Sequence, residues 1–134
     1  MQFAVEHIGL PARDTVALKD WYVRVLGAVA VYSDNQTPPA FILRLPGKTL
    51  IEIYQANSTA PQTADNKLAG WRHLALRVQS IALAKTELEQ RGVTFTDPVK
   101  PAMGGGKVLF FADPEGNLLH LVERPAETPF GKPV

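Results

Sequence analysis

The amino-acid sequence predicts an α+β fold built from two β-α-β-β-β modules. Two segments resemble each other: EHIGLPARDTVALKDWYVRVLGAVAVYS starts at Glu6, and RHLALRVQSIALAKTELEQRGVTFTD starts at Arg72. Each opens with a charged residue, a histidine and a short apolar run, continues as a helical pattern, and returns to β-branched and aromatic residues. With 134 residues, the chain is long enough for one domain with a substantial core. We therefore expect a single domain, 1–134, with module one at about 1–56, a linker at 57–70, module two at about 71–124 and a tail at 125–134.

Both predicted helices carry start and stop signals. Asp14 and Ser80 are good N-caps, because their side-chain oxygens accept hydrogen bonds from the first free backbone N–H groups of a helix. Gly27 and Gly92 stand where the two helical patterns end, as a left-handed C-terminal turn requires. The apolar stripes expected to face the core are Leu18, Trp21, Tyr22, Val25 and Leu26 in the first helix and Ile81, Ala84 and Leu88 in the second.

Three strand candidates follow each helix. They span residues 28–32, 40–45 and 48–55 in the first module and residues 93–96, 107–112 and 117–123 in the second. A PG pair and a DPEG stretch separate the last two strands of each module; Pro fixes φ and Gly tolerates a positive φ, so both predict turns. The Gly-rich segment 104–106 predicts a flexible loop. The proline-containing tail is expected to be extended, and either disordered or in contact with a partner.

Composition excludes several classes of function. A net charge of +1 without a basic stripe argues against a nucleic-acid partner, and no apolar run approaches the roughly 18 residues that predict a membrane span. The absence of cysteine excludes disulfides, thiolate metal sites and cysteine nucleophiles. Because the first residues also lack the pattern of a signal peptide, we expect a cytoplasmic protein with a small-molecule substrate.

The three histidines of the chain fall at related positions of the repeat. His7 and His73 lie in the first strands of the two modules, His120 lies in the last strand of the second, and Glu52 occupies the matching position of the first. Imidazole and carboxylate together bind Zn, Ni, Fe, Mn or Co as divalent ions. One strand histidine taken alone is more often an ordinary hydrogen-bonded residue, but the repeat-equivalent placement of all four residues predicts one divalent metal site.

Strand alternation places further side chains beside these candidate ligands. Successive side chains of a strand point to opposite faces, so Tyr54 shares a face with Glu52, and both Trp71 and Arg77 share a face with His73. We expect these three to contact the substrate, and Arg77 can pair with a carboxylate or phosphate group. Ordinary packing or solvation is the alternative for each of them.

The sequence resembles the vicinal oxygen chelate superfamily over about residues 4–124. The resemblance rests on HIGLPARD…WYVRVLG, LIEIY, RHLALRV and GGGKVLFFADPEGNLLHLVE, of which the DPxG turn followed by a strand is the most specific element. Members of this superfamily include glyoxalase I, extradiol dioxygenases and bleomycin-binding proteins. The resemblance implies a glyoxalase-like fold, in which the paired modules form a cup-like open barrel around a metal, and a homodimer.

The resemblance also implies roles for individual residues. His7, Glu52, His73 and His120 match the metal ligands, with His120 standing where most metal-dependent relatives have a glutamate. Glu52 and His120 are the candidate catalytic residues, and Glu52 is the better candidate for the base. Glu123 matches a second, non-ligand glutamate that is expected to face away from His120.

These features together predict a metal-dependent enzyme, a lyase or isomerase similar to lactoylglutathione lyase, acting on a small oxygenated substrate. An extradiol-type dioxygenase is one alternative. A non-catalytic small-molecule-binding protein, similar to the bleomycin-resistance proteins, is the other. Pro11 stands where the resemblance places a glutathione-contacting arginine, so the use of glutathione is left open.

Overall fold

The structure is a computed structural model that describes residues 1–59 and 64–132. Residues 60–63 of the predicted linker and 133–134 of the predicted tail lie outside this description. The chain divides into two compact units, Met1–Pro61 and Gln62–Val134. Each unit contains a four-stranded sheet and one helix that contacts it. Within the described ranges, no helix is long and apolar enough to cross a bilayer.

The first unit follows the predicted β-α-β-β-β order. Its elements are β1 (Ile8–Ala12), α1 (Thr15–Leu26), β2 (Val29–Ser33), β3 (Phe41–Arg44) and β4 (Leu50–Gln55). The strand order is β1-β4-β3-β2, with β1 parallel to β4 and the other pairs antiparallel. Gly9 of β1 lies opposite Glu52 of β4, so the first and last strands of this module are neighbours.

One face of this first sheet forms the core with α1. Ile51 and Ile53 of β4 are buried, as are Leu18 and Val25 of the helix, and α1 contacts β4. Glu52 alternates with these isoleucines and therefore lies on the face turned away from the helix. The functional candidates of the first unit thus occupy the face that the hydrophobic core does not use.

The second unit repeats the same plan. Its elements are β5 (His73–Arg77), α2 (Ile81–Gln90), β6 (Lys100–Pro101), β7 (Lys107–Ala112) and β8 (Leu118–Glu123). The strand order is β5-β8-β7-β6, with β5 parallel to β8. Leu109, Leu119 and Leu121 are buried, whereas His120 alternates with two of these leucines and lies on the opposite face of β8.

The predicted helix caps are confirmed. Asp14 Oδ1 accepts a hydrogen bond from the Ala17 N–H at 2.9 Å, and Ser80 Oγ accepts one from the Leu83 N–H at 3.3 Å. Gly27 ends α1 with φ of 70°, the left-handed conformation expected there. The sequence signals for the helices were therefore sufficient to place both of them.

The predicted strand at residues 93–96 is wrong. This stretch is irregular, and the fourth strand of the second sheet is β6, which pairs with the start of β7. The Val93 N–H donates to the Leu88 carbonyl at 3.0 Å, which commits it to the C-terminal turn of α2 rather than to a strand ladder. The Phe95 ring packs 5.3 Å from the Phe111 ring. The apolar side chains that produced the strand-like sequence pattern therefore pack against the rest of the second unit and do not belong to a strand.

The tail folds back onto the Gly-rich loop instead of simply extending. The Arg124 guanidinium lies 3.9 Å from the centre of the Phe130 ring and donates to the Gly105 carbonyl at 2.7 Å. A Cβ atom on Gly104 would lie 2.4 Å from Cε2 of Phe130, so the phenylalanine rests directly on the glycine backbone. The loop and the tail thus form one packed corner of the second unit.

Candidate metal centre

His7 and Glu52 form a pair at one end of the first sheet. His7 directly precedes β1, one residue outside the strand in which the sequence placed it, and Glu52 lies in the adjacent strand β4. The His7 Nε2 atom lies 3.0 Å from Glu52 Oε2, and both side chains are about one-third exposed. The other ring nitrogen, Nδ1, lies 3.0 Å from Glu6 Oε1.

The spacing of this pair fits two kinds of chemistry. A protonated His7 donates from both ring nitrogens and pairs with both carboxylates. A neutral His7 donates through one ring nitrogen only, either from Nδ1 to Glu6 or from Nε2 to Glu52. In the Nδ1-protonated tautomer, the Nε2 lone pair faces the Glu52 carboxylate. Two donors that each bind one divalent ion at about 2.1 Å lie roughly 3 Å apart, so in the neutral form a metal ion fits between Nε2 and Oε2.

Tyr54 lies beside Glu52 on the same face of the first sheet. Its ring covers the backbone of Gly9, where an added Cβ would meet Tyr54 Cε1 at 3.4 Å. The tyrosine ring therefore lies at van der Waals distance from the position that a Cβ of Gly9 would occupy. An open groove of about 240 Å³ borders His7 and is lined by residues 5–8 and 47–50, so a ligand can reach this region from solvent.

His73 and His120 form the matching pair in the second unit. Their rings lie 4.7 Å apart, centre to centre, because Ala75 of β5 pairs with His120 of β8 and His73 is two residues away on the same face. Phe110 of β7 lies opposite His120, with its ring 4.8 Å from that of His120 and 5.9 Å from that of His73. The three rings form a cluster on the face turned away from α2.

Burial favours the neutral form of His120. The residue is 6% exposed, and its burial lowers the pKa of the imidazole, an effect to which electrostatic interactions with His73 and Arg124 add. The hydrogen bond to the Leu121 carbonyl opposes this shift without reversing it. A neutral imidazole has a lone pair, which a metal ligand or a proton acceptor requires.

In all three histidines, Nδ1 faces an oxygen acceptor. The His7 Nδ1 faces the Glu6 carboxylate, the His73 Nδ1 lies 2.7 Å from Asn66 Oδ1, and the His120 Nδ1 lies 3.2 Å from the Leu121 carbonyl oxygen. In the neutral form, a histidine that donates through Nδ1 keeps its lone pair on Nε2. This is the arrangement typical of metal-ligating histidines, whose second ring nitrogen donates to an oxygen.

The other residues singled out by the sequence are spread over the second unit. Trp71 is 96% exposed and precedes β5. Arg77 is half-buried at the far end of β5, where its Nη2 donates to the Gly131 carbonyl at 3.4 Å. Glu123 faces α2, as expected for a non-ligand, and its Oε2 accepts from the Ile81 N–H at 2.8 Å.

The structure thus brings the four predicted ligands together as two pairs, one in each unit. Among residues 1–59 and 64–132, no group of three or more histidine, aspartate or glutamate side chains is placed to hold a metal ion. It stays a prediction that both pairs bind one ion. The substrate contacts of Tyr54, Trp71 and Arg77 also stay a prediction.

Sequence reasoning missed Glu6, Asn66 and Phe110. Glu6 directly precedes a candidate ligand, so its carboxylate was a signal that could have been used. Phe110 occupies the strand position opposite His120, which correct pairing of the last two strands would have identified. Asn66 lies in the predicted linker, seven residues before His73, and no sequence pattern singled it out.

Comparison with known proteins identifies the fold family. The model of the Glyoxalase/Bleomycin resistance protein/Dioxygenase superfamily matches residues 4–121. The uncharacterised protein YwkD of Bacillus subtilis is 29% identical over 125 residues, which is 90% of this chain and 97% of that protein.

Solved structures support the same fold. A glyoxalase family protein from Enterococcus faecalis superimposes with a TM-score of 0.76 at 27% identity, covering 90% of this chain and 97% of the other. A mutant of the fosfomycin resistance protein FosX from Listeria monocytogenes, solved with Mn(II) and 1S,2S-dihydroxypropylphosphonic acid, has a TM-score of 0.69 at 21% identity over 95% and 94% of the two chains. The predicted glyoxalase-like fold class is confirmed.

Proposed function

Because the chain belongs to the Glyoxalase/Bleomycin resistance protein/Dioxygenase superfamily, we propose that it is a divalent-metal-dependent enzyme. The proposed activity is that of a glyoxalase-like lyase or isomerase acting on a small oxygenated substrate. The observation that carries this proposal is the 3.0 Å approach of His7 Nε2 to Glu52 Oε2. The repeat-equivalent positions in the second unit hold a second pair of potential ligands, His73 and His120.

In this proposal the four residues bind one Zn, Ni, Fe, Mn or Co ion, either within one chain or across two chains. Three neutral imidazoles and a carboxylate are a suitable donor set for any of these ions. The ion would act as a Lewis acid that polarises neighbouring substrate oxygens and stabilises negative charge developing on them.

The protein's own groups would handle the proton. Glu52 is one-third exposed and its carboxylate lies 3.0 Å from His7, which lines the open groove, so we propose that it accepts a proton from a bound substrate. His120 is buried, which favours its neutral form, and Phe110 shields its ring on one side. We assign the base to Glu52 and a ligand role, with a secondary part in proton transfer, to His120.

Substrate contacts follow from the same faces. Tyr54 covers Gly9 next to Glu52 and offers a hydroxyl group and an aromatic face. Arg77 lies on the His73 face of β5 and provides a positive charge suited to a carboxylate or phosphonate. Trp71 is exposed beside β5 and is available to cover a ligand. The FosX complex, with Mn(II) and a phosphonic acid in a protein of this fold, supports both a metal and an anionic substrate.

We further propose that the protein is a cytoplasmic homodimer. Edge strand β2 exposes Val29, Val31 and Tyr32, whose exposed fractions are 49%, 45% and 62%. An edge strand with exposed apolar side chains is suited to contact with another chain. Light scattering coupled to size-exclusion chromatography measures the state directly, and Val31→Lys is expected to shift it towards the monomer.

The test of the proposed activity uses protein stripped of metal and reloaded with Zn²⁺, Ni²⁺, Mn²⁺, Fe²⁺ or Co²⁺ separately. Each form is assayed with 2-oxoaldehydes with and without thiol, catechols and acyl-CoA thioesters. We expect turnover of a lyase or isomerase substrate that depends on metal and is lost in Glu52→Gln. Metal-dependent cleavage of a catechol would instead identify the protein as a dioxygenase. Ligand binding without metal dependence or turnover would identify a binding protein.

A further inference from the structure

Asn66 makes a short hydrogen bond to a candidate metal ligand. Its Oδ1 lies 2.7 Å from Nδ1 of His73, within the same unit. An amide oxygen has no proton to give, so Nδ1 must be the donor in this contact. In neutral His73 the lone pair is then on Nε2.

A dedicated turn presents this amide. Asp65 Oδ1 accepts from the Lys67 N–H at 3.0 Å, and the Asp65 carbonyl accepts from the Leu68 N–H at 3.4 Å. This aspartate-initiated turn places Asn66 at its corner, with its side chain directed at the histidine ring. The contact is therefore supported by local backbone structure as well as by the two side chains.

We infer that Asn66 is a positioning residue that fixes His73 in the Nδ1-protonated tautomer and orients its Nε2 lone pair for metal binding. The inference deepens the proposed function and rests on it, because it requires His73 to be a ligand. Without an acceptor at Nδ1, an exposed neutral imidazole favours the Nε2-protonated form, which cannot bind a metal through Nε2. Loss of an outer-shell partner of a ligand typically weakens metal binding by about 10- to 100-fold.

Of the three histidines, His73 has the Nδ1 acceptor that is most distant in the sequence. The His120 ring is held by its burial and by the Leu121 backbone carbonyl. The acceptor for Nδ1 of His7 is Glu6, the preceding residue in the sequence. His73 is exposed, so its tautomer is determined by a residue that reaches it from a separate loop.

The test compares the metal-free wild type with Asn66→Ala, Asn66→Asp and Asn57→Ala. Asn66→Asp keeps an oxygen acceptor at the same position, and Asn57→Ala removes an exposed asparagine elsewhere in the same inter-module region. Long-range ¹H–¹⁵N correlation spectra at about pH 8, well above the usual histidine pKa of about 6.5, report which ring nitrogen of His73 carries the proton. Competition titration with Zn²⁺ alone then measures the affinity of each variant.

We expect Nδ1-protonated His73 in the wild type, in Asn66→Asp and in Asn57→Ala, and a shift towards Nε2 protonation in Asn66→Ala. Zn²⁺ affinity should fall about 10- to 100-fold in Asn66→Ala and stay within a few-fold in the other two. An Nε2-protonated His73 in the wild type overturns the inference, even if Asn66→Ala does not fold. An unchanged tautomer or an unchanged Zn²⁺ affinity in folded Asn66→Ala also overturns it.

The two proposals fail in different ways. If the wild type binds none of the divalent ions while the tautomer responds to Asn66 as expected, the metal-dependent function fails and the hydrogen-bond assignment survives without its metal role. If the wild type binds metal but His73 does not respond to Asn66, the function stands and the positioning role is excluded.

Discussion

His7 Nε2 lies 3.0 Å from Glu52 Oε2, although the two residues are separated by helix α1 and strands β2 and β3. The contact exists because β1 and β4 are parallel neighbours in the sheet. The second unit places its first and last strands together in the same way, which brings His73 beside His120. A duplicated strand arrangement therefore produces the same juxtaposition of potential ligands twice.

Removing the carboxylate of Glu52 is expected to weaken metal binding more than any outer-shell change. Glu52→Gln keeps the size of the side chain but replaces a charged ligand oxygen with a neutral amide. Loss of a residue that only hydrogen-bonds to a ligand weakens metal binding by about 10- to 100-fold. We expect the Zn²⁺ affinity of Glu52→Gln to fall further than this. Titration of the metal-free protein against a chelating indicator measures this loss. Glu127→Gln, in the exposed tail, serves as the control and should bind as the wild type does. Equal affinities for wild type and Glu52→Gln would remove Glu52 from the site.

The buried imidazole of His120 is expected to make the metal-free protein less stable in acid. Its pKa is lowered in the folded state, chiefly by burial, so between that lowered value and the ordinary value of 6.5 the unfolded chain binds more protons than the folded one. The free energy of unfolding therefore rises as the pH increases through this window and gains nothing more from His120 above it.

Urea unfolding at a series of pH values tests this dependence. In His120→Phe the ring next to Phe110 remains but cannot titrate, so the rise of stability with pH should be smaller than in the wild type. The two proteins are compared by the slope of their unfolding free energy against pH. Both contain the same carboxylates, so the titration of these groups contributes equally to the two slopes. Parallel stability curves for the two proteins would show that His120 is not the responsible group.

Glu123 is expected to stabilise α2 and to leave metal binding unchanged. Its carboxylate accepts from the Ile81 N–H at the positive end of the helix. Glu123→Ala should therefore reduce the free energy of unfolding by about 1–2 kcal/mol, measured by urea denaturation, with Glu127→Ala as the exposed control. A large loss of Zn²⁺ affinity in folded Glu123→Ala would instead mean that Glu123, and not His120, is the ligand of β8.

The contact between Gly104 and Phe130 is expected to hold the tail in place. Gly104→Ala forces a Cβ atom within 2.4 Å of the Phe130 ring at a φ of +80°, so the tail should be displaced and its amides should exchange faster with deuterium. Gly92→Ala is the matched control, because Gly92 also has a positive φ but nothing within 4 Å of the added Cβ. It should show only the strain of the left-handed backbone, of order 1–3 kcal/mol.

The double variant Gly104→Ala/Phe130→Ala separates the clash from the strain. Removing the ring relieves the steric overlap, so the cost of Gly104→Ala should be smaller in this background than in the wild type. Identical costs in both backgrounds would show that Phe130 does not rest on the loop in solution.

Much of the fold could be predicted because its signals are local. Asp14, Ser80 and Gly27 act within one helical turn, so sequence alone placed both helices. Residues 93–96 were wrongly predicted as the fourth strand of the second sheet because they contain apolar side chains. Val93 is apolar because it is buried in the core, and its N–H closes the turn after α2. Whether such a residue joins a ladder depends on tertiary context.

The candidate site was partly predictable for a related reason. Repetition pointed to His7, Glu52, His73 and His120, since equivalent strands in a duplicated sheet must hold equivalent positions. Asn66 has no counterpart in such a pattern, because it reaches His73 through the particular path of a loop. Phe110 was missed for lack of strand register, which only the pairing of β7 with β8 supplies.

The most direct test of the central claim is the metal content of the wild-type protein, purified without a metal-affinity tag and dialysed, together with X-ray absorption spectra at the edge of the bound metal. We predict one divalent ion per site, with scattering from three imidazole rings and a carboxylate, and with one imidazole lost in each of His7→Ala, His73→Ala and His120→Ala. A protein that contains no metal and binds none of Zn²⁺, Ni²⁺, Mn²⁺, Fe²⁺ or Co²⁺ contradicts it, as does an ion whose spectrum is unchanged in all three variants.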